Sequence, residues 1–404
     1  MTDRPIVRSL FTHVAIALLA VLLFYVLHRT AGRMPIGGGE GYDGHDYAEM
    51  LRGGWIKGSV YTRLRPLVVW MNQPAFSLTG DAVRAFDLMN FVYAGAFAFL
   101  LSLMMERYGA SGFARALAIV CLGLSNASKL PAYYPVLIDL GAFTIMAFAL
   151  WAMLAAPRWV IALACVAAIL SREFAPVVIF FGVHRDLRLR RSWMSIILTY
   201  LPAALVYLVL RVIVAKISTS PGNSLEVFIT NRVMWKDPMF VALYAYFALT
   251  FLGGISLITA AQAGRCWRLL RDEPEWISFA LPIAVVSGLV GMDIWRYLVS
   301  LAPLVLVLYA RCSRDWSRGE ALVWGVAAIV LTVWTQEPFV SMNLTGYFTD
   351  WFPYYAWTGN LPSDVFVRPL WPEWAWRFLV VAFSLCALIV YAKTRPVAGV
   401  VVRA

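Results

Sequence analysis

Long apolar segments recur along this chain and constrain its fold more strongly than any other feature. A segment of about 20 apolar residues forms a helix that crosses the hydrocarbon core of a bilayer. Of the 404 residues, 61% are hydrophobic and only 14% are charged, whereas about a quarter of the residues of a soluble domain are charged. We therefore predict an all-α, polytopic membrane protein in which residues 1–404 form a single transmembrane domain.

The apolar segments predict about twelve membrane-spanning helices, within a range of roughly 10–13. The segments 159–171 and 174–184 are both short, so they form either one kinked helix or two tilted helices. The predicted helices are 11–28, 82–105, 113–127, 132–155, 159–171, 174–184, 194–215, 238–260, 277–292, 297–310, 321–337 and 376–392.

Basic residues predict the orientation of these helices. With an even number of spans, both termini and the short loops HRDLRLRR, GRCWRLLR and ARCSRDWSR lie on one side. Cytoplasmic loops carry an excess of Lys and Arg, so we expect cytoplasmic termini in a plasma (inner) membrane. The Arg-rich, Lys-poor composition favours a bacterial source. The net charge of +11 is dispersed over short loops that face anionic lipid, which excludes a nucleic-acid partner.

Two loops on the opposite, extracytoplasmic side are long. The first, residues 30–81, contains RPLVVWMNQPAFSL, which is too short to span and predicts an interfacial amphipathic helix. The second, residues 338–375, is rich in tryptophan. It is typical either of an interfacial aromatic belt or of a stacking surface for a sugar or a lipid tail.

The stretch GGGEGYDGHDYAEMLRGG, residues 37–54, is the strongest candidate for a functional site. The spacing of its apolar residues predicts a short helix from about Asp46 that ends at Gly53. Asp43 either shares a face with Asp46 or is the N-cap of this helix. We interpret His45 as a local hydrogen-bonding residue. The alternative to a functional site is a capped interfacial helix with solvated acids.

The segment YDGHDYAEMLRGG, followed by YTRLRPLVVW, resembles the first outer loop of the GT-C superfamily of polytopic glycosyltransferases. The similarity covers about residues 40–70 and points toward mannosyltransferase-like and aminoarabinose-transferase-like members. Asp43 with Tyr47 matches the acidic residue of that loop and the aromatic residue four positions later, although Asp46 competes for the acidic position. The resemblance implies an inverting transfer of sugar from a polyprenyl-phosphate donor to an extracytoplasmic glycan, lipid or protein.

Such a transfer needs a base for the acceptor proton and positive charge for the departing lipid phosphate. By resemblance, Asp43 is the first candidate for the base and Asp46 the second, and Tyr47 contributes to substrate binding. Two neighbouring carboxylates also suit a divalent cation, so a metal ion at Asp43 or Asp46 stays open as a cofactor. The cations available for the phosphate are Arg63, Arg65, Arg172 and Arg296.

Other ionisable residues lie within or beside apolar segments, where they are usually paired or functional. Arg172 and Glu173 form either a plain ion pair at a helix break or part of the substrate site. Asp293 and Arg296 are three apart and pair locally, unless Arg296 contacts phosphate. Asp139 makes a polar contact between helices or lines the cavity.

Two other classes of function compete with the enzyme. A transporter or lipid flippase would place Arg172, Glu173 and Asp139 along a substrate path and would break helices at matching places in two halves. A non-catalytic membrane protein of envelope assembly would not depend on the loop acids. The sequence contains no P-loop, GxSxG or HExxH motif, so ATP-driven pumping and serine or zinc hydrolysis lack their signatures.

Overall fold

The computed structural model describes residues 4–172, 175–217, 235–236, 238–289, 294–342 and 371–394. All regular elements in these ranges are helical. The α-helices, numbered in chain order, are α1 (Arg4–Thr30), α2 (Asp43–Gly53), α3 (Pro66–Met71), α4 (Gln73–Thr79), α5 (Ala82–Arg107), α6 (Gly112–Gly123), α7 (Asn126–Tyr133), α8 (Asp139–Ala155), α9 (Arg158–Ser171), α10 (Val177–Arg188), α11 (Trp193–Ile217), α12 (Pro238–Thr250), α13 (Gly254–Ala261), α14 (Ala263–Asp272), α15 (Glu275–Leu289), α16 (Ile294–Val299), α17 (Ala302–Ser313), α18 (Arg318–Gln336) and α19 (Trp371–Thr394).

Several of these helices have the length and composition of membrane spans. Within the described residues, five are long and apolar enough to cross a bilayer, and up to seven if each of two bent pairs counts as one span. The five lie in α1, α5, α11, α18 and α19. The prediction of an all-helical chain with apolar spans is therefore confirmed. This number is smaller than the predicted twelve, because several apolar helices, among them α8 and α9, have only 10–17 residues.

Two predicted single helices are each divided at a sharp bend, and a third, 297–310, corresponds to α16 and α17, which are separated by residues 300–301. The predicted helix 238–260 is α12 and α13, which meet at a bend of 93°. The predicted helix 113–127 ends at Gly123, and α7 continues after a bend of 44°. The predicted helix 132–155 was wrong at its start, because residues 134–138 are non-helical and α8 begins only at Asp139.

Polar side chains of α18 satisfy the backbone groups that these breaks release inside the apolar bundle. The Thr332 hydroxyl accepts a hydrogen bond from the Gly254 amide at 2.9 Å. The Gln336 side chain serves both breaks, because its Nε2 donates to the Thr250 carbonyl at 2.7 Å and its Oε1 accepts from the Asn126 amide at 3.0 Å. Backbone groups in hydrocarbon must find such partners, so α18 stabilises both bends.

Consecutive segments run back and forth between two ends of the bundle. At one of them, here called the basic end, hydrogen bonds and ion pairs connect the ends of α5, α8, α10, α14 and α17. The Tyr108 hydroxyl, just after α5, donates to the Glu273 carboxylate at 2.6 Å. Arg188, the last residue of α10, pairs with Glu275 at the start of α15 at 2.6 Å. The short loops rich in arginine therefore lie together.

The opposite end, here called the loop end, carries residues 31–81. The Met34 amide donates to the Tyr133 carbonyl at 3.0 Å, which joins the segment after α1 to the end of α7. Arg377 of α19 pairs with Glu337, just after α18, at 3.0 Å, and the Lys129 ammonium donates to the Glu337 carbonyl at 2.8 Å. The ends of α1, α7 and α18 thus lie beside the start of α19.

The stretch RPLVVWMNQPAFSL forms two short helices, α3 and α4, where the sequence predicts one. Asn72 lies between them, fully buried, and its side-chain oxygen accepts a hydrogen bond from the Tyr93 hydroxyl at 2.7 Å. Val68 and Val69 are buried, whereas Trp70 is 51% exposed. The predicted amphipathic character is present, and the buried asparagine marks where the helix is interrupted.

Candidate functional site

The N-terminus of α2 lies against Tyr134, and this contact explains why glycines precede it. The Tyr134 hydroxyl accepts a hydrogen bond from the Gly44 amide at 2.8 Å. Gly41 has a φ of +66°, and a Cβ atom there would overlap the Tyr134 ring. Glycine permits both the left-handed backbone and the close approach. The helix consequently begins at Asp43, one turn earlier than predicted.

Asp43 is the first residue of α2 and does not cap it. The N-cap position belongs to Tyr42, which makes no side-chain capping bond. The Asp43 side chain is 59% exposed, and its Oδ2 lies 3.8 Å from the Arg296 Nη1 atom. An exposed carboxylate beside a guanidinium therefore stands at the loop end.

Asp139 lies beneath this pair, at the start of α8, and binds two arginines. Arg172 donates to the Asp139 Oδ1 atom, and the Arg296 Nε atom donates to Oδ2 at 2.8 Å. The side chains of all three residues are at most 4% exposed. The Arg172 guanidinium also lies over the rings of Phe143 and Tyr297, at 5.4 and 5.8 Å from their centroids. Both guanidiniums are thus held in fixed orientations.

Arg296 joins the two layers of the site because it contacts both Asp43 and Asp139. Both oxygens of Asp139 accept hydrogen bonds from arginines, so Asp139 orients them, and its 2% exposed side chain is not accessible to a substrate. Asp43 keeps solvent access and has only one weak ion contact among the interactions described for it. The arrangement offers one accessible base and one adjacent, preorganised cation.

The remaining predicted residues divide between this site and its surroundings. Tyr47 lies one turn after Asp43, is fully buried, and accepts a hydrogen bond on its hydroxyl from the Arg65 Nη1 atom at 2.8 Å. Arg63 instead donates to the carbonyls of Ile56 and Ile217, at 2.5 and 3.5 Å. Arg65 thereby belongs to the α2 cluster, whereas Arg63 ties the loop to the end of α11.

Asp46 and His45 do not join the Asp43–Arg296 pair. In the part of the chain that the structure describes, Asp46 is half-buried and makes no recorded hydrogen bond or ion pair. The His45 Nδ1 atom lies 2.9 Å from the Glu40 carboxylate, so His45 is a local hydrogen-bonding residue, as predicted.

Glu40 fastens the glycine-rich segment to α2. Its carboxylate accepts hydrogen bonds from Arg52 and His45. Burial by itself raises the pKa of Glu40, but the hydrogen bonds from Arg52 and His45 outweigh it and leave this pKa below its ordinary value of 4.5. Glu40 therefore remains ionised around neutral pH and closes the loop over the start of α2.

The predicted pairs Arg172–Glu173 and Asp293–Arg296 each include a residue outside the described ranges. Glu173 and Asp293 are not among the described residues, and neither are residues 343–370, which include most of the tryptophan-rich loop. Both arginines bind Asp139, which is 33 and 157 residues away. Its position inside an apolar segment was the signal for this role.

Metal coordination receives no added support from the geometry. Within the described ranges, no three His, Cys, Asp or Glu side chains gather in a way that could hold a metal ion. Asp43 instead has a guanidinium next to it.

No family model matches this chain, nor does any curated protein or solved structure.

Proposed function

We propose that this protein is a membrane glycosyltransferase of the GT-C type that moves a sugar from a polyprenyl-phosphate donor to an acceptor at the loop end. The observation that carries the proposal is the exposed Asp43 carboxylate, 3.8 Å from the buried Arg296 guanidinium. Inverting transfer needs a base to take the acceptor proton and a cation to stabilise the leaving phosphate, and Asp43 and Arg296 supply one of each at the loop end.

Asp43 is the best-placed base among the three candidate aspartates. Asp139 is buried and binds two arginines, so its oxygens are occupied. Asp46 has no cation recorded beside it among the described residues. Only Asp43 combines solvent access with an adjacent guanidinium, which favours it over both.

Arg296 and Arg172 are the proposed anchors for the donor phosphate. Asp139 neutralises about one of their two positive charges and orients both groups. A phosphate that approaches Arg296 would therefore meet a guanidinium already fixed in place, which lowers the reorganisation needed during reaction. Arg65 is a further cation of the α2 cluster, at Tyr47, whereas Arg63 donates to backbone carbonyls at the α11 end.

The proposed topology places the loop end outside a bacterial plasma membrane. The arginine-rich basic end would face the cytoplasm by the positive-inside rule, and both termini would be cytoplasmic. Consecutive segments run alternately toward the basic end and toward the loop end. This alternation supports about twelve crossings, if α6–α7, α12–α13 and α16–α17 each count as one. Shorter helices such as α9 would then lie where the apolar layer is locally thin or where they are surrounded by other helices.

A transporter remains the rival function, and one observation favours it: the 93° break between α12 and α13. The other bent pair, α6–α7, is the third segment of the alternation, whereas α12–α13 is the eighth. In a repeat of six plus six segments, the third segment corresponds to the ninth, so these two bent pairs do not occupy matching places. The Asp139 cluster also lies at the ends of α8 and α9, away from the middle of the bundle, which favours surface chemistry.

A sugar-transfer assay tests the proposal. The purified full-length protein would be incubated with a panel of polyprenyl-phosphate sugars carrying a radiolabel, together with extracted envelope glycans, lipids and proteins as acceptors. We expect the label to move from at least one donor to an acceptor, and to stay on the donor with Asp43→Asn. Flux of an intact lipid or solute across vesicles, without any transfer of label, would instead establish the transporter.

A further inference from the structure

A second site of a different kind lies at the basic end, between α9 and α11. A cavity of about 400 Å³ opens there. Its polar lining consists of the Arg158 side chain and the hydroxyl residues Ser192, Ser195 and Thr199. Neither the glycosyltransfer proposal nor the packing of the Asp43 cluster uses these residues. Arg158 starts the same helix that Arg172 follows, so the cavity lies about 21 Å from the Asp139 cluster, at 1.5 Å per helical residue.

Arg158 is held with its guanidinium at the rim of this cavity. It forms an ion pair with Asp186 of α10, whose side chain is only 6% exposed. The same Asp186 oxygen accepts a hydrogen bond from the Tyr200 hydroxyl at 3.0 Å. The Arg158 side chain nevertheless stays 33% exposed. A guanidinium has five N–H donors, so Asp186 orients the group while other donors remain available to a ligand.

The outer wall of the cavity is apolar and faces away from the protein. Trp159, Met194 and Leu198 line it, and their exposed fractions are 67, 65 and 66%. In a bundle embedded in a bilayer, an exposed apolar surface such as this one faces the hydrocarbon core. The site therefore has polar hydrogen-bond donors at its mouth and an apolar surface along its length. This arrangement matches the polar headgroup and apolar chains of a phospholipid.

Two further arginines make the surface beside the cavity positively charged. Arg190 and Arg191 directly precede Ser192 and are exposed, and neither has a carboxylate partner recorded within the described chain. Arg190 adopts a left-handed φ of +53° just after α10, a position where glycine is usual. Basic side chains at a membrane surface attract anionic headgroups by about 1 kcal/mol each.

We propose that this cavity binds the headgroup of an anionic glycerophospholipid from the leaflet at the basic end. The phosphate would accept hydrogen bonds from Arg158 and from the serine hydroxyls, with Arg190 and Arg191 adding charge at the mouth. The acyl chains would follow Trp159 and Leu198. The proposal depends on membrane embedding and is independent of any glycosyltransfer at the loop end.

Native mass spectrometry of the purified full-length protein tests it, with phosphatidylglycerol and phosphatidylcholine of the same acyl chains as probes. We expect phosphatidylglycerol to bind at least tenfold more tightly than phosphatidylcholine. The double variant Arg190→Gln/Arg191→Gln should bind it about 30-fold more weakly, from about fivefold for each arginine. Arg268→Gln/Arg271→Gln removes two exposed arginines of α14 at the same end and serves as the matched control, with less than threefold loss.

The second variant, Ser195→Leu, fills the cavity without changing any charge and should also weaken binding at least tenfold. Equal losses in the two arginine pairs would overturn the proposal, because they would indicate attraction to the basic face in general. Equal binding of the two lipids would do the same. Displacement of phosphatidylglycerol by millimolar inorganic phosphate would also contradict it and would indicate a site for free anions.

Discussion

Replacing Asp139 by asparagine is expected to lower the free energy of unfolding by about 3–5 kcal/mol. The carboxylate is buried with Arg172 and Arg296, each at most 4% exposed. The amide nitrogen of asparagine can only donate, and a guanidinium cannot accept a hydrogen bond. The substitution therefore leaves buried positive charge without compensation, and removal of one partner from a buried ion pair typically destabilises by this amount.

Unfolding by SDS titration in mixed micelles measures this quantity. Asp87→Asn is the matched control, because Asp87 also pairs with an arginine, but its partners Arg33 and His28 are 44% and 18% exposed, so solvent can compensate them and a smaller loss is expected. The double variant Asp139→Asn/Arg172→Gln should be less destabilised than the sum of its single variants, by roughly 0.5–3 kcal/mol. If Asp139→Asn lies within about 1 kcal/mol of the wild type, the buried cluster does not hold the arginines as described.

Three further predictions concern the segment around α2. Because hydrogen bonds from Arg52 outweigh burial and keep the pKa of Glu40 below 4.5, Glu40 stabilises the loop above that pH, and this contribution is lost as pH falls through the lowered pKa. The protection of residues 37–54 from hydrogen exchange, taken relative to the intrinsic exchange rate at each pH, should therefore fall on acidification in the wild type but not in Glu40→Gln; equal pH dependence of the protection in both would contradict this. Gly41→Ala should abolish transfer, since its Cβ would overlap the Tyr134 ring, whereas Gly38→Ala, with φ +64° but open space around it, should be milder; equal effects would contradict the steric argument. Tyr134→Phe removes the hydroxyl that accepts the amide at the start of α2, so we expect a loss of about 1 kcal/mol in stability and a lower kcat; unchanged exchange at that amide would show that the bond is unimportant.

The sequence predicted what depends on local pattern. The apolar segments predicted the helical bundle, and the spacing after Asp46 together with Gly53 predicted α2 and its end. Its start differs, because the Gly44 amide bonds to the Tyr134 hydroxyl, which is 90 residues away. No local pattern contains that contact.

Long-range polar contacts account for the other differences. The structure brings Arg296 to Asp139, 157 residues away, a contact that local spacing does not predict. The breaks after residues 123 and 250 depend on Gln336, whose single side chain serves both. An apolar segment looks continuous when the residue that satisfies its broken backbone belongs to another helix.

The measurement that tests the central claim most directly is kcat for sugar transfer by Asp43→Asn and Asp46→Asn, compared in the same membranes. General bases contribute about 10²–10⁴-fold. We expect Asp43→Asn to lose at least a hundredfold in kcat while its hydrogen-exchange pattern stays that of the wild type, and Asp46→Asn to lose less than fivefold. Full activity of Asp43→Asn, with the loss confined to Asp46→Asn, would move the base to the other aspartate. Full activity of both variants would remove this loop from the chemistry.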